Sequence, residues 1–328
     1  MGNSVSLLML RFSRAALLVA AVFTADAVRA EQISVSHEPI LLNLSDPTMT
    51  RVGRLVYRGG LLLSSTDKNF GGFSALHIHD EGRRLTSISD RGYWLTADLS
   101  YNADVQLSGL TNASMTRMKG LDGRPLKSKK HSDAEAIASN TDGGIHVSFE
   151  RNHRVWLYSA VGSSPVALSP PRGIKHLKKN SGIEALTRLS GDRLLALAEG
   201  SKNNTLASGW IGNNKGWLSL SYQLSDGFRV TGAATHPSGD VFVLERFYSL
   251  TQGAAVRVVR ITDREIKAGS TLTGTLVAEI RPPLSVDNFE GIDLRVTKDN
   301  RTFVYLISDD NFNFLQATLL IMFEVLAK

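Results

Sequence analysis

The segment "SDAEAIASNTDGGIHVSFERNHRVWLY" (residues 132–158) contains the pattern that decides the fold of this chain. A glutamate precedes a short apolar run, the chain turns at "NTDGG", and an alternating run returns to a second glutamate. Ile145, Val147 and Phe149 have the period-two spacing of one face of a β-strand. Asn, Asp and Gly are the residues that tight hairpin turns favour. The segment therefore predicts a β-hairpin.

Four other segments repeat this plan of acidic or small residue, apolar run, polar turn and returning strand. They are "GFSALHIHDEGRRLTSISDRG" (72–92), "SGIEALTRLSGDRLLALAEGS" (181–201), "VTGAATHPSGDVFVLERF" (230–247) and "NFEGIDLRVTKDNRTFVYLISDDN" (288–311). Further strand-like runs lie between the hairpins, so each unit makes a four-stranded sheet. Repetition of such sheets predicts an all-β fold, a β-propeller. Five hairpins support five blades, and a sixth blade would need material from residues 33–65 or 93–130.

The last repeat has only one outer strand, "ATLLIMFEVLA" (317–327), before the sequence ends. A propeller must close its ring to remove the exposed sheet edges. The apolar stretch "RVGRLVYRGGLLLSS" (51–65) reads as strand material. We therefore expect an N-terminal strand to complete the last blade.

Residues 1–30 have the features of a secretory signal peptide. Arg11 and Arg14 precede the apolar run "AALLVAAVF" (15–23), and small residues allow cleavage near residue 27 or 30. The run is shorter than the ~20 residues that a membrane span needs. No other stretch reaches that length, and the chain has no cysteine. We expect a periplasmic or secreted monomer whose residues 31–328 form a single propeller domain without a transmembrane segment.

The formal net charge of the whole chain is +6, and its basic residues are concentrated at 124–131 and 172–180. These stretches suit solvated loops or an electrostatic collar that attracts a small anionic substrate. They lack the interleaved aromatic residues of a nucleic-acid surface, so we expect no nucleic-acid partner.

The two open ends of every inner hairpin should lie at the same face of the propeller, which gathers carboxylates around one mouth of the channel. The expected pairs across the hairpins are Ser74 with Asp90, Glu135 with Glu150, Glu184 with Glu199, Gly232 with Glu245, and Glu290 with Asp309. Arg91, Arg151 and Arg246 directly follow three of the closing acids. Two interpretations are open: a ring of ion pairs that joins the blades, or a site for a divalent cation such as Ca²⁺, which prefers oxygen ligands.

The chain resembles the phytase-like ("esterase-like activity of phytase") family of exported bacterial proteins. The resemblance is carried by "FGGFSALHIHDEGRRLTSISDRGYW" (70–94), "SDAEAIA" with "FERNHRVWLY", "GIEAL" with "AEG", "VLERF", and "NFEGIDL" with "LISDDN". It spans roughly residues 45–327 and implies a propeller that hydrolyses phosphoesters or esters. The family is similar to the calcium-dependent β-propeller phytases.

The hairpin geometry, rather than any residue known in the family, supplies the candidate site. We expect catalytic roles for Glu135, Glu184 and Glu290, and substrate binding by Arg91, Arg151 and Arg246. The expected ligands of a divalent cation, Ca²⁺ in the first instance, are Asp90, Glu150, Glu199, Glu245 and Asp309. A non-catalytic propeller that binds a small ligand, an envelope polymer or a protein is the alternative, and a sugar-lactone hydrolase is a further one.

Two other features allow competing interpretations. Ser74 lies in "GGFSAL", which is not a G-x-S-x-G elbow, so we interpret it as a variation of the repeat rather than a nucleophile. His77 and His79 alternate on one predicted strand with Asp80 next to them. This set suits packing between blades or a transition-metal site.

Overall fold

The computed structural model describes residues 30–201 and 203–326, and these form five β-sheets around a central channel. The segment predicted to be a signal peptide lies, up to residue 29, outside the described residues. Four strands come before the first repeat: β1 (Glu31–Gln32), β2 (Val35–Pro39), β3 (Arg51–Val52) and β4 (Leu55–Ser65). They do not form a sheet of their own, but join blades that are completed later in the sequence.

Blades 1 and 2 are each antiparallel sheets whose strands follow one another from the channel outwards. Blade 1 consists of β5 (Phe73–His79), β6 (Arg84–Ser89), β7 (Tyr93–Tyr101) and β8 (Leu107–Arg117), and β1 pairs with its outer edge. Blade 2 consists of β9 (Ala134–Ser139), β10 (Ile145–Phe149), β11 (Arg154–Tyr158) and β12 (Pro165–Ala167).

Blades 3 and 4 have the same order. Blade 3 consists of β13 (Ile183–Leu189), β14 (Arg193–Ala198), β15 (Leu206–Asn213) and β16 (Gly216–Gln223). Blade 4 consists of β17 (Arg229–Thr235), β18 (Val241–Ser249), β19 (Gly253–Ile261) and, after the short β20 (Thr271–Leu272), β21 (Thr275–Ile280). The β20 strand pairs in parallel with β16, so it ties the chain of blade 4 to the edge of blade 3.

Blade 5 combines the two ends of the described chain. Its inner strands are β22 (Phe289–Val296), β23 (Thr302–Ser308) and β24 (Thr318–Val325), and β4 pairs antiparallel with β24. The β2 strand then extends the sheet beyond β4. The predicted closure by an N-terminal strand is therefore confirmed. Residues 33–65 and 93–130, which a sixth blade would have needed, supply outer strands of blades 5 and 1, so the described chain has five blades.

The ring is held together by apolar cores between neighbouring blades. The innermost strands contact one another in the closed order β5, β9, β13, β17, β22 and back to β5. Five buried clusters occupy the five interfaces. At the interface of blades 1 and 2, the fully buried ring of Trp94 meets that of Tyr158 edge to face, with 5.3 Å between ring centroids. Truncation of such a buried aromatic residue typically costs about 3–5 kcal/mol of stability.

Helical structure in the described chain is confined to single turns. These are the α-helical turn Lys129–Ser132 and the 3₁₀ turns Asp80–Gly82, Ile174–His176 and Asp263–Glu265. Within residues 30–201 and 203–326, no helix has the length and apolarity needed to cross a membrane. The turns Lys129–Ser132 and Ile174–His176 lie in the two basic connections that lead into β9 and β13, at the channel mouth where the inner strands begin.

Candidate functional site

Every innermost strand has a β-bulge close to its start, and this bulge positions the side chains of the mouth. In blade 2, Phe149 pairs with Ala134 and Ser148 pairs with Ala136, which leaves Glu135 unpaired between them. The other four inner hairpins show the same shift in register. A bulge adds one residue to a strand and redirects its side chain. The bulged residues are Ser74, Glu135, Glu184, Thr231 and Glu290.

Blade 4 differs from the alignment that its sequence suggested. Val230 pairs with Glu245 and Gly232 with Leu244, so the bulged residue is Thr231 rather than Gly232. In the other blades, the residue after the last paired one is acidic: Asp90, Glu150, Glu199 or Asp309. In blade 4, Glu245 pairs with the residue before the bulge, Val230, as Phe149 pairs with Ala134 in blade 2. The acidic position therefore corresponds to Arg246, which is itself paired with Arg229 because β18 continues to Ser249. The prediction that Glu245 occupies the acidic position of the rim is therefore wrong.

Glu245 instead forms a buried hydrogen-bond group between blades 3 and 4. It is completely buried, and its carboxylate accepts hydrogen bonds from the Tyr222 hydroxyl at 3.1 Å and from the Ser225 amide at 3.2 Å. The Ser225 hydroxyl donates a further bond of 2.5 Å. All these donors come from the end of β16 and the turn that follows it. Glu245 thus has a structural environment, apart from the carboxylates of the rim.

Blade 2 brings three carboxylates together. Asp133 precedes β9, Glu135 is its bulged residue, and Glu150 follows β10; carboxylate oxygens of the three lie within 4.8 Å of one another. The Glu150 amide donates to the Asp133 carbonyl at 2.8 Å, which fixes the two ends of the hairpin side by side. Asp133 is 2% exposed, and Glu135 and Glu150 are each 9% exposed. The predicted meeting of Glu135 and Glu150 is confirmed, and Asp133 is a third member that the repeat pattern did not single out.

The carboxylates of neighbouring blades reinforce this concentration of negative charge. Burial, followed by the charges of Glu184 and Asp133, raises the pKa of Glu135 well above its usual value. Burial, followed by the charges of Glu199 and Glu150, does the same to the pKa of Glu184. Burial and the adjacent Asp133 raise the pKa of Glu150 to about 7. Such shifts mean that the ionised forms are destabilised unless a proton or cation compensates them.

Blade 4 supplies two arginines to the same mouth. Arg229 binds Glu199 of blade 3, with 2.7 Å between Nη1 and Oε1. Arg246 lies 3.3 Å from Glu290 of blade 5 and 3.9 Å from Glu199, and it also donates to Asn288. Burial raises the pKa of Glu290 and Arg246 partly offsets this. The interpretation as a ring of ion pairs is therefore correct for the part of the rim around blade 4.

The remaining cations lie at the outer side of the rim. Lys129 binds Asp90 and lies 3.4 Å from Asp133, so it connects blades 1 and 2. Arg151 also binds Asp133. Arg91 stacks on the Phe312 ring, with its guanidinium carbon 3.1 Å from the ring centroid, and donates to a backbone carbonyl. Of the three predicted arginines, Arg246 and Arg151 contact rim carboxylates and Arg91 does not.

Several carboxylates of the mouth have no cationic partner among the described residues, although Glu184 and Asp309 accept hydrogen bonds from the Gly182 and Asn311 amides at 3.2 and 2.6 Å. Glu135, Glu150, Glu184 and Asp309 form no ion pair with any described residue. The Ser74 hydroxyl and one oxygen of Asp90 are buried without a hydrogen bond among those residues. Burial and the neighbouring Glu290 raise the pKa of Asp309 well above its usual value. The mouth therefore combines two carboxylates that pair with the arginines of blade 4, Glu199 and Glu290, with carboxylates on blades 2, 3 and 5 that have no ion pair within the described chain.

Comparison with protein families agrees with this geometry. The sequence profile described as "Phytase-like: Esterase-like activity of phytase" matches residues 68–312, which include all five inner hairpins. The chain belongs to this phytase-like family. The resemblance inferred from the repeat motifs is thereby confirmed. No curated protein matches the sequence.

Solved structures with a similar fold are distant from this phytase-like protein. A candidate gluconolactonase is 11% identical, with 90% of this chain and 95% of that chain covered and a TM-score of 0.45. The virginiamycin B lyase of Staphylococcus aureus is 10% identical, with 89% and 100% covered and a TM-score of 0.43. The aldose sugar dehydrogenase of Streptomyces coelicolor is 9% identical, with 89% and 99% covered and a TM-score of 0.43. Similarity at this level provides no argument about substrate or reaction.

Proposed function

We propose that this phytase-like protein is a divalent-cation-dependent hydrolase of phosphoester or ester substrates, which acts at the acidic mouth of the propeller. The observation that supports the proposal is the convergence of Asp133, Glu135 and Glu150, whose carboxylate oxygens lie within 4.8 Å of one another. Structural acids in a protein are normally paired with a nearby cation. Here only Asp133 has such a partner among the described residues.

The residues of the mouth fit a hard cation such as Ca²⁺. This ion takes six to eight oxygen ligands from carboxylates, carbonyls and water. Asp133, Glu135 and Glu150 would provide the carboxylates on blade 2. On blade 1, the unpartnered oxygen of Asp90 and the unpartnered hydroxyl of Ser74 are buried at the positions equivalent to Glu150 and Glu135. When bound, the cation would supply Lewis acidity toward an ester or phosphoryl oxygen.

The chain itself would contribute proton transfer and binding of the anionic group. We assign proton transfer to Glu184, the bulged residue of blade 3, which has no ion pair with a described residue. Burial and neighbouring carboxylates raise its pKa, so it holds a proton more readily than an ordinary glutamate, as a general acid or base must. Arg151, at the exposed edge beside Asp133, and Arg246, beside Glu290, would hold a phosphate or carboxylate. The basic connections at 124–131 and 172–180 lie on the same face and would attract such substrates.

The site predictions change accordingly. Glu135 moves from the catalytic group to the cation ligands, where Glu150 stays and Asp133 is added, and Glu184 keeps its predicted catalytic role. Glu199 and Glu290 are compensated by Arg229 and Arg246, so we assign them to holding these arginines in place. Arg91 is assigned no role in binding. A periplasmic or secreted location, a monomeric state and the single domain from residue 31 to 328 remain proposals.

Hydrolysis assays with and without Ca²⁺ test the proposal. The substrates are p-nitrophenyl phosphate, inositol hexakisphosphate, p-nitrophenyl acetate and a sugar lactone, after removal of bound metal with EDTA. We expect Ca²⁺-dependent turnover of a phosphoester or ester, lowered by about 10²-fold or more in Glu184→Gln, as for the loss of a general acid or base. Glu38→Gln, an exposed substitution on the outer strand β2, is the matched control.

The rival functions predict other outcomes. Turnover of the lactone alone would replace the phosphoester and ester assignment with the lactonase alternative. Absence of turnover of every substrate, together with Ca²⁺-dependent thermal stabilisation, would make the site a structural or ligand-binding one. If there were neither turnover nor Ca²⁺-dependent stabilisation, the ring of ion pairs would be the only interpretation left.

A further inference from the structure

The channel has a second mouth, where the inner strands end and turn outwards. A cavity of about 430 Å³ opens there and is lined by residues of all five inner hairpins. This volume lies within the range of ~300–1,000 Å³ that is usual for small-molecule sites. The carboxylates of the acidic mouth do not line it. Whatever binds here meets a different set of side chains.

The inner wall of this cavity is apolar. In four blades, the residue two positions after the bulged residue contributes to it: Leu76, Ile137, Ala233 and Ile292. All four are buried. The apolar wall separates the polar groups of the second mouth from the carboxylates of the first. An organic ligand with a carbon skeleton could therefore pack against it while its polar groups face outwards.

The outer wall carries hydrogen-bonding groups that are rigidly held. The Thr187 and Thr235 hydroxyls bond to each other across blades 3 and 4 at 2.8 Å. His77 donates from Nδ1 to Asp293 at 2.8 Å, and Asp293 also accepts from the Ile78 amide at 2.7 Å. Burial lowers the pKa of His77, but the charge and hydrogen bond of Asp293 more than offset this and leave it raised. The bond to Asp293 fixes the orientation of the His77 ring. It uses Nδ1, so the other ring nitrogen, Nε2, takes no part in it.

Arg188 also lines the cavity and makes few bonds to described residues. Its Nε is buried and has no hydrogen-bond partner among the described residues. Its only ion pair with a described residue is a 3.6 Å contact from Nη2 to Asp192, whose side chain is 87% exposed. Exposed ion pairs of this kind contribute little to the stability of the fold. A buried guanidinium nitrogen without a partner is unfavourable, and an anion is the partner that a guanidinium binds best.

We propose that the second mouth is a binding site for a small hydroxylated organic anion, whose carboxylate or phosphate is held by Arg188 and His77 and whose hydroxyls contact Thr187 and Thr235. The apolar wall would hold the carbon skeleton. This site is separate from the acidic mouth and does not depend on the function proposed there. Counted from the bulged residue of each blade, Arg188 corresponds to Ile78 and Thr235, and Asp293 corresponds to Ala138 and Ala234. Neither charged residue is therefore a general feature of the repeat.

Isothermal titration of the EDTA-treated full chain with glucuronate, glucose 6-phosphate and glucose tests the proposal. We expect binding of one or both anions and much weaker binding of glucose, and the two anions distinguish a carboxylate from a phosphate ligand. Arg188→Met should weaken anion binding by about tenfold or more, the effect of losing a charge-assisted hydrogen bond. Thr235→Val should weaken it by a smaller factor without altering the guanidinium.

Two control variants separate this site from others. Lys298→Met removes a cation that is 93% exposed in the connection between β22 and β23, on the same face, and should leave binding unchanged. Glu135→Gln alters only the acidic mouth and should also leave it unchanged. Binding of neither anion would overturn the proposal, and so would anion binding that Glu135→Gln alters while Arg188→Met and Thr235→Val, both verified as folded by circular dichroism, do not.

Discussion

Glu135 and Glu150 approach each other from the two strands of one hairpin, with carboxylate oxygens within 4.8 Å, and neither forms an ion pair with a described residue. Two ionised carboxylates at this distance repel, and burial increases the penalty. The pair therefore stores an electrostatic strain that a proton or a cation relieves. The first two predictions concern these two means of relief.

Removal of the Glu150 charge should stabilise the metal-free protein at alkaline pH. The folded-state pKa of Glu150, about 7, exceeds its ordinary value of 4.5, so its contribution to stability is fully present below pH 4.5 and is lost as pH rises through 7. Glu150→Gln cannot ionise and loses nothing over this range. We expect urea denaturation with EDTA to show similar stabilities near pH 4.5, and a more stable Glu150→Gln variant at pH 8.5. Glu38→Gln should follow the wild type at both values.

Ca²⁺ should reverse this order. Cation binding requires ionised carboxylates, so its stabilising effect should increase as pH rises through 7. We expect thermal unfolding at pH 8 to show a rise in Tm with Ca²⁺ for the wild type and for Glu38→Gln, and little or no rise for Glu135→Gln and Glu150→Gln. An equal rise in all four proteins would place the cation elsewhere.

Arg246 should be needed for the stability of the folded protein, because it compensates the charge of Glu290, its neighbour at 3.3 Å. Arg246→Met leaves a largely buried carboxylate uncompensated, and both side chains are partly accessible, so we expect a loss of roughly 2 kcal/mol, below the ~3–5 kcal/mol of a fully buried pair. The additional substitution Glu290→Gln should recover much of this loss. Chemical denaturation of both single variants and the double variant measures the coupling, and additive losses would show that the pair does not interact.

Glu245 should behave as a structural residue. Glu245→Ala leaves the Tyr222 hydroxyl and the donors of Ser225 without their acceptor in a fully buried position. We expect a loss of about 3 kcal/mol in stability, from the cavity and the unsatisfied donors together. The rise in Tm with Ca²⁺ should persist in the folded variant. Loss of the Ca²⁺ response with unchanged stability would return Glu245 to the rim.

Ser74 distinguishes hydrolysis assisted by a cation from hydrolysis through a serine nucleophile. Its hydroxyl is buried at the bulge of blade 1, where other blades have Glu135 or Glu184. If it serves as one ligand among several, Ser74→Ala should keep most of the kcat and require a higher Ca²⁺ concentration for half-maximal rate. A fall in kcat of several orders of magnitude, as seen when a serine nucleophile is removed, would contradict this.

The sequence was sufficient to predict the architecture, since the spacing of turns and alternating strands predicted five hairpins and the closing strand.

The sequence was not sufficient to predict the strand register of blade 4. "FERN" and "LERF" look equivalent, yet Glu150 follows its strand whereas Glu245 lies within one. The difference is one of register: Glu245 lies four residues after the first residue of its returning strand, as Phe149 does, whereas Glu150 lies five residues after it. The sequence does not mark this shift, because β18 continues without a break to Ser249. Bulges likewise leave no signature in the alternation of apolar residues. Asp133 was missed because it lies just outside the alternating pattern.

The pairing of β4 with β24 also sets the time at which this protein can fold. Leu55–Ser65 is synthesised early, but the strand that it pairs with ends at Val325. Until then, the edge of β4 opposite β2, around Leu61 and Leu63, has no partner strand and is prone to association with other chains. Contacts between segments so distant in sequence also form slowly. Completion of the ring therefore waits for synthesis of the last blade, and until then this edge of β4 needs protection from association with other chains.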